Sequence, residues 1–392
     1  MNIRWFLSKT VRHATAMRKH VRNILNAQRD ILSPQAVQAV DGSLNDLNRV
    51  LHSDAKADAV LKQMTLLEEV ANKWLKSYPN AAWRENVEVF LVALAVAMGI
   101  RTFFAQPFKI PTGSMQPTLF GVVSENLLEQ SDFKVPTGWS RLREWFAGVS
   151  YVEVIAKTDG TIDRIDEPFG IKVINFWQKL YIGGMAHTVY FPPDYGQAKL
   201  EDPNRANLNG RHFYHKGDHV VWLRVKAGDH LFVDRMTFNF RKPTRGEIAV
   251  FQTAGIDHPR MPQDQFYIKR LVALGGERVQ IGDDRHLRIN GQRLDASTPH
   301  FENVYSFDPA KPPEESEFSG HVNGVGRPGL APLFPNQEKT FTLEPNTYMV
   351  MGDNTLNSFD SRGWGPFPAQ NVIGKSLFVY WPITKRFGWW NR

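Results

Sequence analysis

The hydrophobic rhythm of the chain changes twice. Across residues 34–78 apolar side chains return every three or four positions: Leu44, Leu47 and Leu51 form one series, and Val60, Met64, Leu67 and Val70 continue it. That spacing lays an apolar stripe along one side of an α-helix. Asp41-Gly42-Ser43 interrupts the series and offers an N-cap, so two helices or a helical hairpin are expected here. Next comes an uninterrupted apolar run, residues 89–100, inside a wider segment at 87–104. Extended through Arg101 to Ala105, it reaches the ~20 residues a helix needs to cross a bilayer, and the Arg101 side chain can reach the interface. Beyond residue 105 the pattern shortens to alternating runs punctuated by Gly, Pro, Asp and Asn, as β-structure requires. Strands are expected at 151–156 and 161–165, joined as a hairpin across Asp159-Gly160. Others are expected at 219–225, 230–234, 247–252, 265–273, 278–281, 287–289, 348–351 and 375–381.

The pattern divides the chain into a helical segment (1–86), one membrane-spanning helix (87–105) and a mainly β domain (106–392). Residues 292–340, rich in Pro, Gly and acids, are expected to form a loop-dominated insertion. Charge sets the topology. The formal net charge is +7, and residues 1–29 hold seven Lys/Arg with no Asp or Glu. A basic segment can bind nucleic acid or anionic lipid; beside a membrane span, lipid or orientation is the better reading, and no nucleic-acid partner is expected. Positive charge on the N-terminal side places residues 1–86 in the cytoplasm and the β domain outside. The apolar run is not a cleavable leader, since 86 residues precede it and no small-residue cleavage pattern follows.

The chain has no cysteine, which excludes disulfides, thiol catalysis and cysteine-ligated metals. No His-Glu-x-x-His and no phosphate-binding glycine loop occurs, so no metal or other cofactor is expected. One short segment stands out: Lys109-Ile-Pro-Thr-Gly-Ser-Met-Gln-Pro-Thr-Leu119 holds a single serine, Ser114, between a permissive glycine and two φ-fixing prolines. A serine hydroxyl needs a base to become a nucleophile, and none of the twelve histidines lies in a Gly-x-Ser-x-Gly setting. Lys269, among Tyr267, Ile268, Leu271 and Val272, has surroundings that disfavour its ammonium form and leave an amine to accept the serine proton.

These segments resemble the bacterial type I signal peptidases. The serine block Phe108–Leu119 is followed by Gly228-Asp-His-Leu-Phe-Val-Asp-Arg235 and Pro243-Thr-Arg-Gly-Glu-Ile-Ala-Val-Phe251. Then come Tyr267-Ile-Lys-Arg-Leu-Val-Ala-Leu-Gly-Gly-Glu-Arg-Val279 and Met351-Gly-Asp-Asn-Thr-Leu-Asn-Ser-Phe-Asp-Ser-Arg-Gly-Trp-Gly365, all in family order after a membrane anchor. The resemblance implies a membrane-anchored serine endopeptidase of the bacterial inner membrane. Such an enzyme removes signal peptides from exported precursor proteins after small residues in an Ala-x-Ala context. It implies a signal-peptidase-type β-rich catalytic domain, with Ser114 as nucleophile and Lys269 as general base. The Ser114 N–H and the Thr112 hydroxyl would form an oxyanion hole, and Ser361 would orient the lysine. Ile110, Met115, Leu119, Tyr267 and Ile268 would line shallow substrate pockets, and Asp353, Asp360, Arg362 and Arg270 would act as scaffold charges.

Two departures stand out. Thr355 and Leu356 replace a charged pair, and residues 121–226 form a large insertion where family members connect almost directly. The competing class is a non-catalytic membrane-anchored β-domain that binds exported proteins; loss of the serine or the lysine would mark it, and both are present.

Overall fold

A computed structural model of the chain describes residues 8–53, 55–76, 81–130, 132–171, 174–195, 199–203, 205–208, 212–305 and 320–389. It divides into two compact units between Ala95 and Val96. The first contains helices α1 (Lys9–Gln28), α2 (Pro34–His52) and α3 (Ala57–Trp74). Their apolar stripes meet in one core that includes Ala14, Val21, Leu25, Val40, Leu44, Leu47, Val60 and Leu67. Ser33 caps α2, accepting the Ala36 N–H, with Pro34 in the first turn. Buried Gln28 ties the end of α1 to the end of α3, donating to the Lys76 carbonyl at 2.7 Å and accepting the Lys76 N–H at 3.0 Å.

The expected break at Asp41-Gly42-Ser43 is absent: α2 runs through it, and the turn falls after His52. A glycine inside a helix costs about 1 kcal/mol relative to alanine. Burying Val40, Leu44, Leu47 and Leu51 on one stripe outweighs that.

Helix α4 (Ala81–Phe103) crosses from the first unit into the second. Its segment Trp83–Phe103 has 21 residues with mean hydropathy 1.6, and none of it is buried within the protein. At 1.5 Å per residue it is about 31 Å long, matching a bilayer's ~30 Å hydrocarbon core.

The second unit is built on a seven-stranded antiparallel sheet. In chain order its strands are β1 (Ala105–Lys109), β2 (His230–Asp234), β3 (Ile248–Gln252), β4 (Phe266–Leu274), β5 (Thr347–Met351), β6 (Phe367–Pro368) and β7 (Val372–Trp381). In space they run β1-β2-β7-β3-β4-β5-β6. The sheet curls into a half-barrel: Phe108 on edge strand β1 meets Phe266 on β4 edge-on at 5.5 Å, although three strands lie between them. A four-stranded sheet (Gln292–Arg293, Leu287–Ile289, Arg278–Ile281, Thr340–Thr342) packs its apolar side against Val272, Met349 and Met351. The 292–340 segment is mostly irregular, yet its described part contributes core: Phe301, Val304, Ala331 and Phe334 belong to that same cluster.

The region inserted after the serine block has a core of its own, centred on Val152, Val154, Leu180, Ile182, Val220, Val221 and Leu223. The expected hairpin across Asp159-Gly160 does not form. Strand Val149–Ile155 pairs with His219–Lys226, and Gly160–Ile165 pairs with Ile174–Ile182 and Phe213–Tyr214. Asp159 is engaged instead by the Lys216 N–H at 2.7 Å, and the close approach of Gly160 to Gly183 brings the distant strand alongside.

Candidate active site

The serine block forms a compact loop between β1 and the inserted region. Its backbone is held at both ends, by the Ile110 N–H on the Asp229 carbonyl at 2.9 Å and the Val122 N–H on the Pro111 carbonyl at 3.2 Å. Two glycines let other segments close on it. A Cβ at Gly121 would lie 2.1 Å from the Thr112 carbonyl carbon, and one at Gly352 would lie 2.4 Å from the Ser114 carbonyl oxygen. Only hydrogen fits at either place. Through the second contact the 351–365 loop reaches the serine: the Asn354 N–H donates to the Ser114 carbonyl at 3.1 Å. The Asn354 amide nitrogen donates to the Gly113 carbonyl at 3.1 Å and to Gln116 Oε1 at 3.3 Å.

Lys269 projects from β4, where Ala249 of β3 is its partner. Its Nζ lies 2.6 Å from Ser114 Oγ and 5.6 Å from the centre of the Tyr267 ring. Both Ser114 and Lys269 are buried. As an ammonium the lysine donates to the serine; as a free amine it accepts the hydroxyl proton. Burial pushes its pKa down to about 8. The Asp360 and Asp353 carboxylates favour the charged form, and Arg362 opposes them. About a tenth of the amine is then neutral at pH 7, and the share rises steeply toward pH 8, as a base requires.

Two buried ion pairs hold this arrangement. Arg270, adjacent to Lys269 on β4, clasps Asp353 through Nε at 2.7 Å and Nη2 at 2.5 Å, and donates through Nη1 to the Gly246 carbonyl at 2.7 Å. Asp353 also accepts the Thr118 hydroxyl at 2.6 Å, which joins the lysine strand to the serine loop. Asp360 and Arg362 form the second pair, bidentate at 2.8 Å. Burial alone would raise the Asp360 carboxyl, but the Arg362 guanidinium holds it below the usual carboxylate range. Arg362 also donates to the Thr355 hydroxyl and the Thr355 carbonyl, both at 2.7 Å, and the Val322 N–H donates to that hydroxyl at 2.9 Å. Thr355 thus fixes the loop through a neutral side chain.

The signal peptidase, peptidase S26 family matches residues 83–132 and 223–381 of the chain, more than half of its length. The chain belongs to that family. The match begins at the apolar part of α4 and takes in the serine loop, the lysine strand and the 351–365 loop; most of the inserted region falls between its two segments. Signal peptidase I of Leptolyngbya laminosa is 30% identical over 162 residues, which cover 41% of this chain and 64% of that protein. Thylakoidal processing peptidase 1 of Arabidopsis thaliana is 29% identical over 184 residues, covering 42% and 40%. A crystal structure of a signal peptidase I from Enterococcus faecalis aligns at 28% identity over 34% of this chain and 97% of that one, with a TM-score of 0.23. The chain spans less than two thirds of the length of these two curated relatives.

Ser114 and Lys269, 155 residues apart in sequence, are brought into hydrogen-bond contact. Thr112 is exposed beside them. No described residue accepts a hydrogen bond from its hydroxyl or from the Ser114 N–H. Tyr267 and Ile268 are half-buried and still offer surface. Ile110, Met115 and Leu119 do not. Met115 and Leu119 are fully buried and Ile110 is 2% exposed, packed with Leu231, Val233, Ile248 and Val250. All three pack with the sheet strands beneath the serine loop. The Ser361 hydroxyl accepts the Val350 N–H at 3.1 Å on β5, and among the described residues it makes no hydrogen bond to Lys269. Sequence reading missed Thr118 and Asn354 as positioning residues, although both lie inside quoted blocks.

Proposed function

We propose that this protein is a membrane-anchored serine endopeptidase that removes N-terminal signal peptides from exported precursors, cutting after small residues in an Ala-x-Ala context. The 2.6 Å approach of Ser114 Oγ to the buried Lys269 amine carries this reading. Neutral Lys269 takes the Ser114 proton as Oγ attacks the scissile carbonyl carbon. Negative charge gathers on the carbonyl oxygen, where the Ser114 N–H and the Thr112 hydroxyl donate to it. The lysine ammonium then protonates the leaving amine, and the mature protein departs. Water, deprotonated by the same lysine, releases the signal peptide from its serine ester.

Helix α4 anchors the enzyme in the bacterial inner membrane with residues 1–86 cytoplasmic and the catalytic unit outside. The basic residues before the span support that orientation. Edge strand β1 begins at Ala105, directly after α4, so precursors are cut at the membrane surface.

The test is cleavage of an exported precursor by the purified full chain, with the product's new N-terminus sequenced. Cutting after Ala-x-Ala by wild type, and none by folded Ser114→Ala, is expected. Cleavage by the alanine variant would refute the mechanism.

A further inference from the structure

The inserted region carries a helix turned the wrong way for a water-exposed surface. Helix α5 (Gly138–Phe146) has no buried residue. Its polar side faces the protein: Arg141 lies over the Tyr151 ring at 4.5 Å, and Glu144 accepts the Tyr151 hydroxyl at 2.8 Å and faces Arg224 at 3.5 Å. Its apolar side faces outward. Trp139 is 85% exposed, Trp145 54%, and Leu142 and Phe146 42% each. Trp139, Leu142 and Trp145 follow one another at three-residue steps, so they share one edge of the helix. A surface helix in water does the opposite, burying its apolar stripe and wetting its charges.

We propose that α5 is an interfacial anchor whose Trp139–Leu142–Trp145 edge sits at headgroup depth in the phospholipid bilayer spanned by α4. Several observations favour lipid over a protein partner. Tryptophan with leucine and phenylalanine is the combination that settles at the boundary of headgroup and acyl chain. Arg143 is exposed beside the edge, while the helix's one carboxylate, Glu144, is turned inward, so the outer side is cationic and suits anionic lipid. The helix is also held rigidly to the sheet that emerges from the membrane. Trp145 packs on Trp381 at the end of β7 with ring centres 4.9 Å apart, and the Ile383 N–H donates to the Phe146 carbonyl at 2.9 Å. That sheet continues from α4 at its other end: β1 starts at Ala105 opposite Asp234, which pairs with Lys375, whereas Trp381 pairs with His230 opposite Lys109. Helices α4 and α5 thus attach at opposite ends of the same strands. A second contact at α5 would fix the tilt of the catalytic unit over the bilayer, which one attachment through α4 cannot do.

The absence of cysteine from the chain makes the test clean. Single variants Trp139→Cys, Leu142→Cys and, as a control away from the patch, Glu338→Cys are spin-labelled in the full-length protein. They are reconstituted into vesicles of phosphatidylethanolamine and phosphatidylglycerol. All three positions are exposed, so the labels leave the fold intact. At 139 and 142, collisions with oxygen should exceed those at 338 several-fold, and collisions with a water-soluble nickel chelate should fall several-fold. Equal accessibility at all three sites would overturn the proposal. So would protection from both reagents, or spin–spin broadening between copies, which would place the edge against protein. The readout does not depend on peptidase activity, so it stands apart from the catalytic assignment.

Discussion

At Lys269 the burial that prepares the amine works against the fold. Its pKa is about 8 in the folded chain against 10.5 for a free lysine. Between those values the unfolded chain binds the extra proton, so stability rises with pH across that window. Below it the penalty is fully present, roughly 3 kcal/mol for a shift of this size. Lys269→Met, of similar volume and uncharged, should therefore melt several degrees higher than wild type at pH 7 while cleaving nothing; an equal or lower melting temperature would contradict the burial penalty. Thr112 gives a second prediction. Thr112→Val should lower kcat by about 10²–10³ through loss of one oxyanion donor, and Thr112→Ser should be nearly silent. A fully active valine variant would remove Thr112 from the oxyanion hole. The serine and the lysine were legible in sequence because each sits in a short block with its own chemistry. Thr118 was not: its hydrogen bond to Asp353 spans 235 residues, and no local pattern announces such a partner.

Strand positions were mostly readable: β2 alternates between buried and half-buried residues down to its limits, while β3 and β5, buried on nearly every residue, read as short apolar runs. Pairing was not. Asp159-Gly160 has hairpin chemistry, yet the strands that flank it pair elsewhere, because distant partners bury more of Val152, Val154 and Ile182 than a two-strand ribbon could. The full burial of Met115 and Leu119 was not legible either, since residue type does not say how deep a side chain sits. At this scale the account predicts that Gly352→Ala damages turnover more than stability. The added Cβ meets the Ser114 carbonyl oxygen and the Ser358 hydroxyl, so the 351–365 loop or the serine loop must shift. Overpacking of this kind costs about 1–3 kcal/mol, while a small displacement of Ser114 from Lys269 lowers kcat about 10²-fold. Wild-type kcat in a folded Gly352→Ala variant would show that the contact does not set the serine's position. Asp353→Ala should be harsher on the fold, at about 3–5 kcal/mol, because it leaves the Arg270 charge buried and unpaired; urea titration reads that directly.

For the molecule as a whole, the N-terminal helices, one long apolar helix and a β-rich remainder were legible from the period of the apolar pattern. The independent core of the inserted region and its outward-facing helix were not, since both depend on which surfaces remain after folding. The charge asymmetry about α4 predicts that protease added outside spheroplasts digests the β-rich unit and spares the helical one; sparing of the β-rich unit would reverse the topology. The proposed peptidase mechanism rests on the serine–lysine pair. The most direct test follows kcat/KM for precursor cleavage against pH in proteoliposomes, for wild type, Lys269→Ala and Lys269→Arg. The wild-type value should climb as pH rises and level off above an apparent pKa near 8. Both variants should stay at background throughout, because arginine remains protonated and cannot take the serine proton. An active arginine variant, or a wild-type profile flat through pH 8, would contradict the account.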